Sequence, residues 1–423
     1  MIKALSDFFS RHWDGQSPLL LGYSGGPDSK ALLYAAMEAG FGRTLHLAHV
    51  DHGWREESGL EALQLRKEAE ALGLPFHAIR LERRVGEAKA RAARFSFFVS
   101  LFKKMPFQAL LLAHQADDAA ETTLKRILEG AHLPFQGGMG PISYIEGIAV
   151  WRPFLSIEKR ELSAFLEKKR LDPLIDPTNF DSSYTRARMR TEILPSLAEQ
   201  FGKGISENLA LHGARAMELR AYLDRKTERL SLSRGPWGLL GSLDGVERIE
   251  ARHALQKWAE AEKIRLPRSL LELALDSIAR HLPDCRLAER LFIDRGHVFL
   301  LKERFPSWGK EPLQLKVGFW KWGDWDLEVS VAGDERGNYS TWKEVWSGRF
   351  TSLAPQGILR MPLPGSFLRH HWNAQKVPSL LRYSVPIVWN GDKESHEFLT
   401  GKFLPKIIPY FKLVFSTLSG PIL

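Results

Sequence analysis

Short apolar runs alternate with longer amphipathic stretches through the first half of the chain. Leu19-Leu20-Leu21 has strand character and stops at a polar, glycine-rich turn, Ser24-Gly25-Gly26-Pro27-Asp28-Ser29-Lys30. Ala31–Met37 then reads as a helix ending at Gly40. Thr44–His52 predicts a second strand, Glu56–Leu72 a helix stopped by Gly73, and Pro75–Leu81 a third strand. Glu87–Lys104 predicts a long helix, Ala109–His114 a fourth strand, about Gln115–Gly130 a helix, and Gly147–Trp151 a fifth strand. Ahead of these, Ile2, Leu5, Phe8, Phe9 and Trp13 recur at helical spacing. Strands alternating with helices of this length imply right-handed βαβ crossovers and a mainly parallel sheet. Such sheets take ligands beyond the carboxyl ends of their strands, where the polar clusters around His49 and His114 fall.

The pattern changes near Ser206. Asn208–Arg229 reads as one long charged helix, Gly235-Pro236-Trp237-Gly238 as a break, and Glu247–Glu262 and Ser269–His281 as further helices. Past Phe305-Pro306-Ser307 the chain turns β-like, and Trp320–Val331 partly alternates. Eight of the 13 tryptophans follow residue 305, and aromatics so spaced are expected in a core rather than stacking on bases. Three domains are therefore expected: an α/β domain over 1–205, a small, mostly helical domain over 206–305, and an α+β domain over 306–423.

A length of 423 residues fits two or three domains better than one core. No apolar run reaches the roughly 18 residues of a membrane span, and the N-terminus lacks a signal-peptide pattern. Cys285 is the only cysteine, which excludes an intrachain disulfide and any zinc or iron–sulfur site built from several cysteines. A reducing cytoplasm is the expected compartment. The formal charge of +9 permits a polyanionic partner without requiring one.

The turn carries the most specific chemistry. Adjacent glycines let successive N–H groups converge, and the helix that follows adds its positive dipole end, so the stretch makes an anion site. Ser24 and Ser29 add hydroxyl donors and Pro27 stiffens the turn. Asp28 would repel phosphate unless a divalent cation lies between them, which is how Mg2+ is commonly held. Neither a G-x-x-x-x-G-K-[ST] loop nor a G-x-G-x-x-G fingerprint is present.

Three further clusters follow. His49-Val50-Asp51-His52-Gly53-Trp54-Arg55 ends the second strand, and alternate side chains of an extended segment point apart, which disfavours a metal site there. Glu87, Arg91 and Arg94 share a helical face beside Phe95 and Phe98, where a plain Glu–Arg surface pair would serve equally. In His114-Gln115-Ala116-Asp117-Asp118-Ala119-Ala120-Glu121-Thr122, the residues His114, Asp118, Glu121 and Lys125 line one face, opposite Ala116, Ala120, Leu124 and Ile127. Acids in a first turn favour the helix dipole on their own account. A full acidic stripe opposite Asp28 suits a divalent ion or a substrate ammonium better.

Ser24–Ser29 resembles the S-G-G-x-D-S loop of the PP-loop (N-type) ATP pyrophosphatases. His114–Thr122 is similar to the H-x-x-D-D-x-x-E-T motif of the tRNA(Ile)-lysidine synthetases within that superfamily. Trp151–Leu155, Arg160-Glu161-Leu162, Asp176-Pro177-Thr178-Asn179, Tyr184, Arg186, Arg188, Arg190 and Ile193-Leu194-Pro195 resemble later motifs of the same family, as Gln375–Trp389 does for its C-terminal domain. Glu129 and Trp54 depart from the family's usual Arg and Leu.

The resemblance implies a PP-loop (adenine-nucleotide alpha hydrolase-like) fold and tRNA-binding domains behind it. It implies ligation of L-lysine to C2 of the wobble cytidine (position 34) of tRNA(Ile) with a CAU anticodon, using ATP and Mg2+. Ser24, Gly25, Gly26, Pro27, Asp28 and Ser29 would hold the nucleotide, with Asp28 on the metal. Asp118 and Glu121 would bind the lysine amine or the metal and take its proton. Arg91 or Arg94, with Arg188 or Arg190, would steady developing charge. A thiolase or amidotransferase of the same superfamily would need more cysteines than Cys285. A silent RNA-binding protein would have little use for clustered carboxylates.

Overall fold

The computed structural model describes residues 1–51, 53, 58–81, 87–174, 185–202, 204–332, 341–363, 368–400 and 411–417. The chain divides into two compact units, Met1–Ala221 and Tyr222–Leu423.

The first unit runs α1 (Ile2–His12), β1 (Leu19–Gly22), α2 (Pro27–Glu38), β2 (Leu45–Asp51), α3 (Ser58–Ala71), β3 (Phe76–Arg80), α4 (Glu87–Lys104), β4 (Ala109–Leu111) and α5 (Ala116–Leu128). It continues through α6 (Leu133–Gln136), β5 (Ile142–Ile145), β6 (Ile148–Trp151), α7 (Lys159–Lys169), α8 (Thr185–Arg188), α9 (Leu194–Phe201) and α10 (Ile205–Thr227), which runs across the division between the units. The six strands lie in the order β3-β2-β1-β4-β6-β5. All neighbours are parallel except β5 and β6, a hairpin closed by Glu146 and Gly147 at φ 49° and 83°. The expected parallel sheet is present, and β5 is an addition to it.

β1 is central and covered on both faces, which explains why it reads as continuous leucine. Leu19 and Leu21 pack with Leu5 and Phe9 of α1, Leu32 of α2 and Leu162 of α7. Leu20 points the other way, into a cluster with Phe95, Phe98 and Leu101 of α4. The glycine-rich turn is thus held at the end of a strand that cannot shift register without exposing leucine on one side.

The second unit departs from expectation. Residues 232–301 are not mostly helical: β7 (Leu232–Gly235), β8 (Gly238–Ser242), α11 (Arg248–Ala261), α12 (Arg268–Ala279), β9 (Cys285–Ala288), β10 (Leu291–Asp294) and β11 (His297–Leu301) form an antiparallel sheet in the order β7-β8-β11-β10-β9 beside two helices. Gly235-Pro236-Trp237-Gly238, expected as a break, is the turn between β7 and β8. Cys285 lies on a strand rather than in a helical domain.

The expected boundary near residue 305 is not a break in the core either. Leu239, Leu291, Ile293, Val298 and Leu300 face the α11–α12 helices. Their alternates Leu240, Phe292, Phe299 and Leu301 share a core with Trp325 and Trp346 further on. That later part comprises β12 (Leu313–Gln314), β13 (Gly318–Trp322), β14 (Trp325–Val331), α13 (Trp342–Trp346), β15 (Arg349–Ala354), β16 (Ile358–Arg360), α14 (Leu368–Ala374), α15 (Ser379–Arg382), β17 (Ile387–Asn390), β18 (Lys393–His396) and β19 (Phe411–Thr417). Its strands make two four-stranded sheets, β12-β16-β17-β18 and β13-β14-β19-β15. Trp322, Trp325, Trp346, Trp372 and Trp389 are buried, as the aromatic spacing predicts.

Candidate active site

A cleft of about 440 Å³ opens at the carboxyl ends of β1, β2 and β4. The glycine-rich turn, His49, Asp51, Arg94 and Asp118 are among its walls. Gly25 takes φ +77°, and a Cβ there would stand 2.7 Å from side-chain carbons of Leu65 and Leu174. The backbone of Leu174 closes on the same glycine, its N–H donating to the Gly25 carbonyl at 2.9 Å. Gly26 caps α2, and Pro27 occupies its first turn, where the missing N–H costs no hydrogen bond. The Ser24 and Ser29 hydroxyls lie 3.2 Å apart, and Ser24 Oγ accepts from the Gly26 N–H at 3.3 Å. The turn is a cradle of small polar groups at a helix N-terminus, as its composition predicts.

Asp28 Oδ1 is buried and has no hydrogen-bond partner among the described residues. Burial pushes the Asp28 carboxyl up to about 6, and the negative Asp118 adds to the rise against the opposing pull of Lys159 and Arg190. Burial without a compensating donor is what makes the ionised form of this carboxyl costly.

Across the cleft, Gln115 and Asp118 form a capping box at the start of α5: Gln115 accepts from the Asp117 N–H at 2.8 Å, and Asp118 Oδ2 accepts from the Gln115 N–H at 3.0 Å. The other oxygen of Asp118 accepts from Arg190 Nη2 at 2.8 Å, while Arg190 Nε donates to Glu121 Oε1 at 2.6 Å. Glu121 is only 4% exposed, so the guanidinium supplies the charge balance that its burial requires. Burial alone would lower the Arg190 pKa, but Glu121 and Asp118 raise it.

On β2, the buried His49 donates its Nδ1–H to the Tyr23 carbonyl at 2.9 Å, the carbonyl being able only to accept. Burial lowers its pKa, which keeps the ring neutral. Burial would raise Asp51, but hydrogen bonds from Ser58 and the Gly53 N–H, with Arg80 nearby, bring it below the usual carboxylate range.

Ser24, Gly26, Asp28, Ser29 and Asp118 therefore line one cleft, with Glu121 joined to it through Arg190. Of the arginine alternatives, Arg94 lines the cleft, whereas Arg91 is exposed on α4. Arg190 reaches the acidic helix, whereas Arg188 is exposed. Residues two apart on a helix lie on opposite sides, so only one of Arg188 and Arg190 can face α5. Arg190 is that residue, and it lies in a π-helical turn over Met189–Ile193. His52, Trp54, Arg55, Asp176–Asn179 and Tyr184 lie outside the described residues, as do the side chains of Glu87 and Arg186. Leu174 and Lys30, which border the turn, went unread as site residues in the sequence; the adjacency of Lys30 to Ser29 was the available signal.

A sheet in this strand order with a glycine-rich turn at its central strand is a nucleotide-binding α/β architecture, and a family model of the PP-loop domain matches residues 1–197. Over longer spans the chain is 32% identical to the tRNA(Ile)-lysidine synthase of Protochlamydia amoebophila across 95% of this chain and 93% of that one. It is 34% identical to that of Chlamydia pneumoniae across 65% of this chain and 88% of the other, and 40% identical to that of Chlamydia muridarum across 53% and 71%. Among solved structures it is similar to the U34-tRNA thiolase NcsA from Methanococcus maripaludis, at a TM-score of 0.40 and 17% identity over 51% of this chain and 78% of that one, a likeness too low to bear on function. The chain belongs to the tRNA(Ile)-lysidine synthase family. It is an ATP-binding ligase of tRNA modification, and its activity is lysidine formation at the wobble cytidine.

Proposed function

We propose that both steps of lysidine formation run in this one cleft, with the triphosphate on the glycine-rich turn and the lysine amine at α5. The observation that carries this reading is the Arg190 fork over Asp118 and Glu121, electrostatically coupled to the unsatisfied Asp28. In the first step the cytidine O2 attacks the α-phosphorus of ATP, the bond to the β-phosphate oxygen breaks, and pyrophosphate leaves. The N–H groups of the turn and the Ser24 and Ser29 hydroxyls bind the leaving pyrophosphate. In the second step the lysine ε-nitrogen, after losing a proton, attacks C2, the C2–O bond breaks, and AMP departs with the oxygen.

Within the fork itself, two carboxylates and one guanidinium leave a formal charge of about −1, which complements a substrate ammonium. Asp118, which borders the cleft, and Glu121 behind it are the candidates to bind that ammonium and take its proton. Arg94 faces the cleft to steady phosphate charge.

Asp28, whose buried oxygen lacks a donor among the described residues, fits a hard divalent cation and would hold Mg2+, with Asp118 nearby. When bound, Mg2+ supplies charge neutralisation of the phosphates. No described helix is long and apolar enough to cross a membrane. We place the reaction in the cytoplasm with tRNA(Ile) bearing a CAU anticodon as substrate, and assign tRNA contacts to the second unit, in keeping with the net charge of +9. The test is release of pyrophosphate and AMP with tRNA(Ile) and lysine. Asp28→Ala or Glu121→Ala should abolish it without unfolding the chain, and unchanged turnover would remove these assignments.

A further inference from the structure

Lys30 ends the glycine-rich stretch, and the reaction above gives it no task. It stands in the first turn of α2 and is only 6% exposed. Its Nζ donates to the backbone carbonyl of Asp172 at 2.9 Å and pairs with Glu68 Oε1 at 3.1 Å. Glu68 in turn accepts from the Tyr34 hydroxyl at 3.0 Å and, through its other oxygen, from the Tyr23 hydroxyl at 2.8 Å. Burial and the Glu68 carboxylate push both phenols up, Tyr34 to about 12, so both stay protonated donors. Tyr23 is the residue just before Ser24, and its backbone is pinned by the Ala48 carbonyl and the His49 ring.

Lys30 therefore holds the segment that lies on the turn, Tyr23 leads into the turn, and Glu68 joins the two. Asp172 is two residues before Leu174, whose N–H binds the Gly25 carbonyl and whose side chain packs on Gly25 and borders the cleft. A buried ammonium is retained only against a cost in desolvation, and a methionine or leucine would fill the same space at less cost. What the charge supplies here is a directional bond to a carbonyl that no apolar side chain could hold.

We propose that Lys30 and Glu68 are positioning residues that latch the Asp172–Leu174 segment onto the glycine-rich turn and so set the fit of the cradle to the triphosphate. The latch acts on ATP affinity rather than on the chemical steps, because neither side chain lines the cleft. It rests on the reading that the triphosphate occupies Ser24–Ser29.

The test is the double variant Lys30→Met/Glu68→Gln, which removes both charges together and so avoids leaving one buried and unpaired. In the full chain assayed with tRNA(Ile) and lysine, KM for ATP should rise about tenfold while kcat changes less than threefold. Hydrogen exchange at the Leu174 amide should quicken. A purely structural pair would move the melting temperature and leave the ratio of kcat to KM alone. Unchanged KM or unchanged Leu174 exchange overturns the latch. Should the double variant fail to fold, Glu68→Gln is read in its place, with a threefold rise in KM expected and an unchanged KM overturning the proposal. Asp28→Asn serves as the control: if it still ligates lysine, the reading of the turn falls, whereas an inert Asp28→Asn beside an unchanged double variant removes only the latch.

Discussion

Arg190 and Glu121 are 69 residues apart in sequence and share a 2.6 Å hydrogen bond in the fold, with Glu121 almost wholly buried beneath the guanidinium. Removing the cation leaves that carboxylate buried and unbalanced. Arg190→Leu is therefore expected to destabilise the first unit by about 3 kcal/mol, read in urea titration. Glu121→Gln, which keeps the shape, should cost less than about 1 kcal/mol in stability yet lose at least a hundredfold in lysine incorporation. Equal losses of stability in the two variants would contradict the burial argument.

Asp28 gives a pH signature of opposite sign to an ordinary paired aspartate. Its carboxyl is held at about 6 in the fold against 3.8 normally, so the native state binds the proton more tightly than the unfolded chain. The stabilisation is fully present below 3.8 and is lost as pH rises through 6. Asp28→Asn should therefore raise the melting temperature of the nucleotide-free protein at pH 7.5, by a free energy of about 3 kcal/mol, with the gain vanishing below pH 3.8. Thermal melts across that range check it; a destabilised variant at pH 7.5 would contradict it.

The two glycines of the turn should not respond alike. Gly25→Ala meets a positive φ and two leucine side chains at 2.7 Å, and is expected to cost about 1–3 kcal/mol and most ATP binding. Gly26 has φ −67°, and a Cβ there meets Ser24 Oγ at 3.3 Å and the Leu174 carbonyl oxygen at 4.0 Å, so Gly26→Ala should fold nearly as the parent. Melting curves and nucleotide titrations of the pair separate the two effects.

Arg94→Ala and Arg91→Ala offer a matched comparison on one helix. Arg94 borders the cleft and should lose activity by tenfold or more, whereas exposed Arg91 should stay within about twofold of the parent. Steady-state rates of AMP release decide between them, and the reverse order would point the α4 face elsewhere.

The sequence made the first unit legible because its signals are local. β1 is continuous leucine between a helix and a glycine turn, and α5 carries its acids at helical spacing opposite alanines. β5 pairs antiparallel at the sheet edge, and Ser143 and Tyr144 leave it without the continuous apolar run that marks β1. The strands of 232–301 were missed for a related reason: each is four or five residues long, and the longer helical patterns of α11 and α12 dominate the window. Spacing places Arg188 and Arg190 on opposite sides of the helix and does not say which side meets α5. The Lys30–Glu68 pair joins three separate segments, and no local pattern encodes a contact of that kind.

The most direct test of the central claim is mass analysis of tRNA(Ile) after incubation with the protein, ATP, Mg2+ and labelled lysine. The account predicts a product heavier by one lysine less one water, carried on the wobble cytidine and absent with Asp28→Asn. Unmodified tRNA with the parent protein, or the same mass gain with Asp28→Asn, would contradict it.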